Sequence, residues 1–270
     1  MTGNIQITTY RLITLLTDFG MKDGYGGVMK GVIKKINPML EIVDLTHEIP
    51  PQNIAAARFC LMNAYPYFPE GTVHIAVVDP GVGSHRRAIA LQLSNNNFLV
   101  GPDNGLFSGV ISQNQIINAV ELTNSNYWLT SRPSNTFHGR DIFAPAGAHL
   151  ATGVPIQNLG AEIDPTSLTK ININNCVEKS TGIYGCIQYI DRFGNLITNI
   201  LDKYIKSKTW NLEVKGLMIR GCNTYADVSL GEAIALVGSD GWLEIAANGG
   251  SAESLLQVNL GVEVILHLLG

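Results

Sequence analysis

Charge is scarce in this chain. Asp, Glu, Lys and Arg make up 15% of its 270 residues, against roughly 25% in an average soluble protein. Apolar residues reach 46%, which excludes a disordered or solvating polymer and predicts that part of the surface is covered in a subunit interface. Basic excess is absent as well. A net charge of −4 and an isoelectric point near 5.8 offer no field to a phosphate polymer, so no nucleic-acid partner is expected. No stretch approaches the roughly 20 apolar residues needed to cross a bilayer, and no membrane partner is expected either. Residues 1–10 lack a basic leader and the apolar run at 12–16 is too short for a signal sequence, so the expected location is cytoplasmic.

Cysteine is sparse and scattered. Cys60, Cys176, Cys186 and Cys222 form no C-x-x-C pair, which argues against a zinc knuckle or a disulfide framework and predicts four free, mostly buried thiols. No H-x-x-x-H or H-E-x-x-H spacing points to a metal. The glycine clusters fail as nucleotide fingerprints: in Gly24-Tyr25-Gly26-Gly27 and Gly81-Val82-Gly83 the sixth position is Met29 and Arg86 respectively. No Walker A sequence occurs, and Asp18-Phe19-Gly20 lacks the other elements of a kinase. No repeat of 20–50 residues is visible.

What is present is a strand–helix rhythm over the first two-thirds. Residues 11–17, 40–45, 72–78, 87–93 and 97–100 read as strands, and 53–65 and 141–151 as helices. Val28, Met29, Val32, Ile33 and Ile36 recur at helical spacing ahead of Pro38. This predicts an α/β domain with a mostly parallel sheet over residues 1–165. A polar, aperiodic stretch at 166–181 reads as a linker. Short β-like runs at 183–190, 196–201, 212–219, 233–237, 242–246 and 262–268 then predict a smaller C-terminal antiparallel β-barrel over 182–270.

In parallel sheets ligands gather at the carboxyl ends of strands. Asp18 ends the first strand and Asp79 a later one, each followed by glycine. Asp in either place also serves as a turn residue; two in equivalent places point to a site. His138, in a polar glycine-bearing turn before a helix, is the histidine best set to face a cleft. His74 in a strand and His149 on a helix read as satisfied packing residues, and His47, His85 and His267 have no comparable setting.

Taken together, the segments around these residues resemble the S-adenosylmethionine hydrolases, or SAM hydroxide adenosyltransferases, relatives of fluorinase and chlorinase. The matching pieces run in order over nearly the whole chain: Leu16-Thr17-Asp18-Phe19-Gly20, Phe68-Pro69-Glu70-Gly71-Thr72-Val73, Val78-Asp79-Pro80-Gly81-Val82-Gly83, Gly101-Pro102-Asp103-Asn104-Gly105, Phe137-His138-Gly139-Arg140-Asp141, Ala148-His149-Leu150-Ala151, Asp191-Arg192-Phe193-Gly194-Asn195, Gly238-Ser239-Asp240-Gly241-Trp242-Leu243 and Ala247-Asn248-Gly249. The resemblance implies an N-terminal α/β domain, a C-terminal β-barrel, and a homotrimer that binds its ligand between subunits. It implies hydrolysis of S-adenosylmethionine to adenosine and methionine, with that molecule as substrate and no cofactor. It places the catalytic trio on Asp79, Arg86 and His138, the family spacing selecting Arg86 over adjacent Arg87. Either Asp79 or His138 then takes the proton from water.

The binding set implied is Asp18 for the ribose hydroxyls, Asp191 and Ser239 for the methionine ends, Phe193 and Asn195 for the purine, and Asn248. Halogenating relatives carry a tyrosine at the Asp79 position and a serine at the Gly139 position, so halide transfer is the alternative chemistry and a non-catalytic nucleoside-binding protein a third reading. Two further departures from the fluorinase pattern are Gln52 in place of a pocket tryptophan and Asp240 in place of an arginine.

Overall fold

The structure, a computed structural model, describes residues 12–171, 176–205 and 208–269. Two compact units divide the chain, Met1–Ile171 and Asn172–Gly270. Of the stretch expected as a linker, residues 172–175 lie outside the described residues, Pro165–Ser167 forms a single 3₁₀ turn, and Val177–Lys179 is a strand. No helix among the described residues is long and apolar enough to cross a membrane.

The first unit is built on buried apolar strands. In β1 (Ile13–Thr17) every residue is buried, as expected of a strand covered on both faces. Helix α1 (Tyr25–Ile36) turns Met29, Val32 and Ile33 inward and stops before Pro38, which disfavours helical backbone at the residue before it. After β2 (Ile42–Thr46), helix α2 (Ile54–Ala64) is capped by Asn53, whose side-chain oxygen accepts from the Ala56 N–H at 2.9 Å. Strand β3 (Val73–Val77) is again wholly buried, and β4 (Ala88–Leu93) and β5 (Phe98–Pro102) follow. A short α3 (Ser108–Ile111) leads to β6 (Ile116–Glu121). That strand escapes a reading by pattern because Ile116-Ile117-Asn118-Ala119-Val120 breaks the alternation of a half-buried strand. The helix expected at 141–151 starts earlier, as a π-helical turn over Gly139–Phe143 that runs into α4 (Ala144–Thr152), with Pro145 in its first turn.

The sheet order is β2-β1-β3-β5-β4-β6-β7, where β7 is Ala161–Glu162. β2, β1, β3 and β5 pair in parallel; β4 is inserted antiparallel, which leaves β6 pointing with the parallel set and five of the seven strands in one direction. The chain leaves β1 for β2 on one side and returns across it to β3 on the other. The sheet therefore reverses its winding between β1 and β3, and a crevice opens at their carboxyl ends.

The second unit is antiparallel throughout its sheet, in the order β12-β11-β15-β9-β10-β14-β13, with β8 paired on β9. The strands are β8 (Val177–Lys179), β9 (Gly182–Ile190), β10 (Leu196–Leu201), β11 (Thr209–Val214), β12 (Leu217–Arg220), β13 (Ala233–Val237), β14 (Trp242–Ala247) and β15 (Glu263–Leu269). A bridge from Gly221 to Ala235 draws the two edge strands together into a nearly closed barrel. The run expected as one strand at 212–219 is instead the β11–β12 hairpin. It turns through Lys215 and Gly216, both in the left-handed region (φ 50° and 75°), the two-residue turn that matches strand twist. A lysine in the first turn position carries no hairpin signature, so the break is invisible in the sequence.

Two expectations about buried groups need correction. The four cysteines are free but half-buried, not mostly buried. His74 is fully buried on β3, between the rings of Tyr65 and Phe68, yet it is only half satisfied. Its Nδ1 lies 2.8 Å from Thr14 Oγ1, while Nε2 has no hydrogen-bond partner. Burial holds this imidazole neutral and lowers its pKa to about 4. The unfolded chain binds a proton near 6.5 and the folded chain only near 4, so stability falls as pH drops through that window. The gap corresponds to about 3 kcal/mol. Denaturant unfolding of the wild type at pH 7 and pH 4.5, compared with His74→Leu, should show the acid loss shrinking by most of that amount in the variant.

Candidate active site at the switch point of the first sheet

The residues that follow β1 and β3 line one cleft of about 270 Å³, formed by Asp18, Phe19, Gln52, Asp79, Phe137 and His138 with their neighbours. Asp79 in its lining is half of a salt bridge. The Arg86 guanidinium grips the Asp79 carboxylate with Nε donating to Oδ1 at 2.9 Å and Nη2 donating to Oδ2 at 2.5 Å. Their side chains are 10% and 5% exposed, so the pair is drawn out of water. Arg86 Nη2 also reaches His138 Nδ1 at 2.7 Å. An arginine has only donors, so Nδ1 must offer its lone pair, and the ring's hydrogen sits on Nε2. Burial first, and the Arg86 charge second, push the His138 pKa down, with Asp79 and Asp141 opposing. His138 is thus a neutral imidazole that accepts from arginine and keeps one N–H to donate.

Local structure explains how seven residues bring Arg86 back onto Asp79. The loop after β3 folds on itself through Val82 N–H to Asp79 O (3.2 Å), Ser84 N–H to Gly81 O (3.1 Å) and the Ser84 hydroxyl to the same oxygen (2.7 Å). Gly83 has φ 77°, and a Cβ there would lie 2.4 Å from the Asn135 carbonyl oxygen, so only glycine permits this approach. On the far side the Arg86 guanidinium stacks 5.2 Å from the centre of the Phe143 ring. His138 immediately precedes the π-helical turn that begins at Gly139. The neighbouring Asp141 is fully buried. Burial would raise its pKa, but hydrogen bonds from Arg140 and the Ser134 N–H hold it below the usual range.

Asp18 stands across the cleft. One carboxylate oxygen, Oδ2, accepts the Gln52 N–H at 2.7 Å, from a residue in the left-handed region (φ 64°). The backbone of Gln52, not its side chain, therefore orients Asp18, and the other oxygen stays available to a ligand. Asp18, Asp79, Arg86 and His138 are all brought together in the first unit.

The remaining expected residues belong to the second unit. Phe193, 76% exposed, and Asn195 line a separate pocket of about 490 Å³ with Tyr225, Ala247, Gly249 and Gly250. Asp191 orders the turn beneath them: Oδ1 accepts the Phe193 and Asn195 N–H groups (2.9 and 2.8 Å), and Oδ2 accepts from Asn195 Nδ2 (2.9 Å). The Asn248 side chain donates to the Val228 carbonyl at 2.8 Å and is spent on the loop ahead of β13. Ser239 is exposed at the β13–β14 turn. Among the described residues no group of three or more His, Cys, Asp and Glu side chains is placed to hold a metal ion.

Comparison with known proteins bears on both units. Residues 13–160 match the SAM hydroxide adenosyltransferase N-terminal domain, and residues 185–265 match the C-terminal domain of the same family. The chain belongs to the SAM hydroxide adenosyltransferase family. A protein of Thermus thermophilus named (R)-S-adenosyl-L-methionine hydrolase is 39% identical over 95% of this chain and 99% of its own. One of the same name from Salinispora tropica is 38% identical over 92% of this chain and 95% of its own. The fluorinase of Actinoplanes sp. is more distant, at 26% identity over 88% and 91%. In three dimensions the chain is similar to a conserved protein from Thermotoga maritima, with a TM-score of 0.88 and 37% identity over 94% of this chain and all of the other.

Within this family fold, several side chains that pattern alone passes over support the site. Asn104 donates to the Val78 carbonyl at 2.8 Å, pinning the strand end that carries Asp79. In the second unit the Tyr225 hydroxyl donates to Glu244 Oε1 at 3.1 Å beside the Phe193–Asn195 pocket. Burial pushes the Glu244 carboxyl up, and Asp191 and Asp240 add to the rise against the Tyr225 hydrogen bond. Glu244 lies on β14 within Trp242–Ala247, where an alternating strand would hide it in any sequence reading.

The shared arginine makes a direct prediction. In Arg86→Ala the His138 ring loses the neighbouring cation, so its imidazole should titrate at higher pH than in the wild type. Histidine NMR resonances followed from pH 4 to 8 would read the shift; an unchanged His138 would mean that the two groups are not in contact in solution.

Proposed function

We propose that this chain hydrolyses S-adenosyl-L-methionine to adenosine and L-methionine by attack of one water on the ribose 5′ carbon. The observation that carries this reading is the Asp79–Arg86–His138 cluster, held at the sheet's switch point and facing the cleft that also contains Asp18. The named relatives at 38–39% identity over nearly their full length support the same activity.

The chemistry asks for little but positioning and a proton acceptor. The C5′–S bond breaks with its electron pair going to sulfur, which leaves as a neutral thioether and needs no acid. Water supplies the new O–C5′ bond, but neutral water is a weak nucleophile, its pKa being about 15.7. Holding it in line supplies roughly 7–11 kcal/mol of the barrier when the geometry is near attack. His138 Nε2–H donates to the water oxygen and fixes it. The proton passes to Asp79, because the His138 acceptor nitrogen is already taken by Arg86 while Asp79 Oδ1 keeps a lone pair. Arg86 holds that carboxylate and screens its charge. A drained cleft helps an anion-like nucleophile meet a cation with less hydration to lose.

Asp18 is assigned to the ribose diol, which a carboxylate oxygen with a free lone pair suits. Phe193 and Asn195 are assigned to the purine, and Ser239 and Asp191 to the methionine end. In Asp191 both oxygens already serve the turn, so its contribution to an ammonium group comes from the remaining lone pair and its charge. Asn248 acts by tying the end of β14 to the loop ahead of β13. The halide alternative has less support: a Cβ added at Gly139 would lie 3.2 Å from Met29 Sδ and from the Phe137 ring, tighter than ordinary contact. A serine there would have to displace both.

Incubation of the protein with S-adenosylmethionine in ¹⁸O-water should yield adenosine and methionine in equal amounts, with the label in the 5′-hydroxyl. Asp79→Asn should lower kcat by about 10²–10⁴-fold, the usual worth of a general base, with little change in KM. Unlabelled adenosine, or release of adenine, would refute the attack at C5′.

The reading extends to assembly. A homotrimer whose sites join the first unit of one copy to the second unit of the next accounts for the scarcity of charge and for a catalytic cleft and a purine pocket carried by different units. Asp79→Ala and Asn195→Ala chains, each inactive alone, should regain activity when co-expressed, because random mixing restores roughly a quarter of the shared sites. Mixed oligomers as inactive as their parents would mean that each site is built within one chain.

A further inference from the structure

We propose that His47 is a positioning residue which, acting through Thr17, fixes the Asp18 carboxylate and so sets the preference for a nucleoside that carries its 2′-hydroxyl. The proposal rests on the assignment of Asp18 to the ribose diol. His47 lies beyond β2 and is 4% exposed. Its Nδ1 is 2.8 Å from the hydroxyl of Thr17, the last residue of β1 and itself wholly buried. That hydroxyl also accepts the Phe19 N–H at 3.2 Å, and the His47 carbonyl accepts the Gly20 N–H at 2.7 Å. One histidine therefore grips the turn on both sides of Asp18.

The contacts agree in direction. With the Phe19 N–H donating to Thr17 Oγ1, the threonine's own hydrogen is free to go to His47 Nδ1. The imidazole then carries its hydrogen on Nε2, which is buried and faces Asp44 Oδ1 at 3.2 Å without the alignment of a hydrogen bond. Asp44 is held in turn by Lys30, whose Nζ donates to Oδ2 at 2.5 Å. The fold makes room for the ring at one place: a Cβ on Gly26, at the start of α1, would come within 3.0 Å of His47 Cε1 and Nε2. This gives Gly26, in a cluster that fits no nucleotide fingerprint, a physical task.

Asp18 is anchored on the other side by the Gln52 N–H, so the turn and that amide together determine where the free oxygen points. A hydrogen bond to a charged group is worth roughly 10–100-fold, and it keeps that worth only while the carboxylate is held in place. Loosening the Thr17–His47 contact should therefore cost discrimination between ribose and 2′-deoxyribose more than it costs turnover.

The test measures kcat/KM for S-adenosylmethionine and its 2′-deoxy analogue. The wild type should favour the ribonucleoside by about 10–100-fold. Thr17→Val, equal in size but without the hydroxyl, should narrow that ratio to a few-fold while kcat at saturation falls by less than about threefold; Thr17→Ser should keep the wild-type ratio. His47→Ala should match Thr17→Val, and where it fails to fold the threonine pair decides alone. A Thr17→Val enzyme that retains the full ratio, or loses rate equally on both substrates, overturns the proposal. A wild type that makes no distinction between the two sugars refutes the ribose assignment of Asp18 itself, and with it this inference, by a different result.

Discussion

A single buried cation holds the active cleft together. Arg86 donates at once to both oxygens of Asp79 and to the Nδ1 of His138, and this sharing decides what each partner can do. The carboxylate is paired in a place where an unpaired charge would be costly, and the imidazole is kept neutral with its hydrogen on the outer nitrogen. Taking such a pair out of water is expensive, and the attraction offsets that cost only when the geometry is good. The fold supplies the geometry through the tight loop between Asp79 and Arg86 and through the ring of Phe143 beneath the guanidinium. A lysine at this position would carry the charge but could not span three acceptors in one plane.

The winding of the sheet determines where this cation works. Because the chain crosses back over β1 to reach β3, a crevice opens at the carboxyl ends of these two strands, and the aspartates that follow them face a common space. Their surroundings then separate their duties. Asp79 is paired with arginine and nearly buried, whereas Asp18 is held by the Gln52 backbone N–H with an oxygen free. Two carboxylates that look alike in sequence thus stand in different surroundings, as the proton-acceptor and hydroxyl-partner roles proposed for them require. The second unit makes a different surface, a shallow aromatic pocket over a turn that Asp191 ties from inside.

Much of this was legible from residue order, for stated reasons. Strands buried on both faces are continuous apolar runs, so β1 and β3 announced themselves, and an aspartate followed by glycine marked the end of each. Capping by Asn53 and the stop at Pro38 are local effects and read locally. The misses share a cause as well. The β11–β12 hairpin turns on a lysine, β6 is buried only at its far half, and the cysteines sit at half-buried places that no spacing reveals. His47, set aside for want of a polar glycine-bearing turn around it, contacts Thr17 from thirty residues away.

The residue order by itself determined the alternation of elements, the two carboxylates at strand ends and the seven-residue spacing of Asp79 and Arg86, because these depend on neighbours along the chain. Only the tertiary structure decided which hydrogen His138 keeps, which oxygen of Asp18 is free, that Asp191 is spent on its own turn, and that His47 stands behind the cleft. Those properties belong to hydrogen bonds between segments that meet only after folding. An imidazole or a hydroxyl can donate or accept, and which it does is assigned by the partner present, not by its own chemistry.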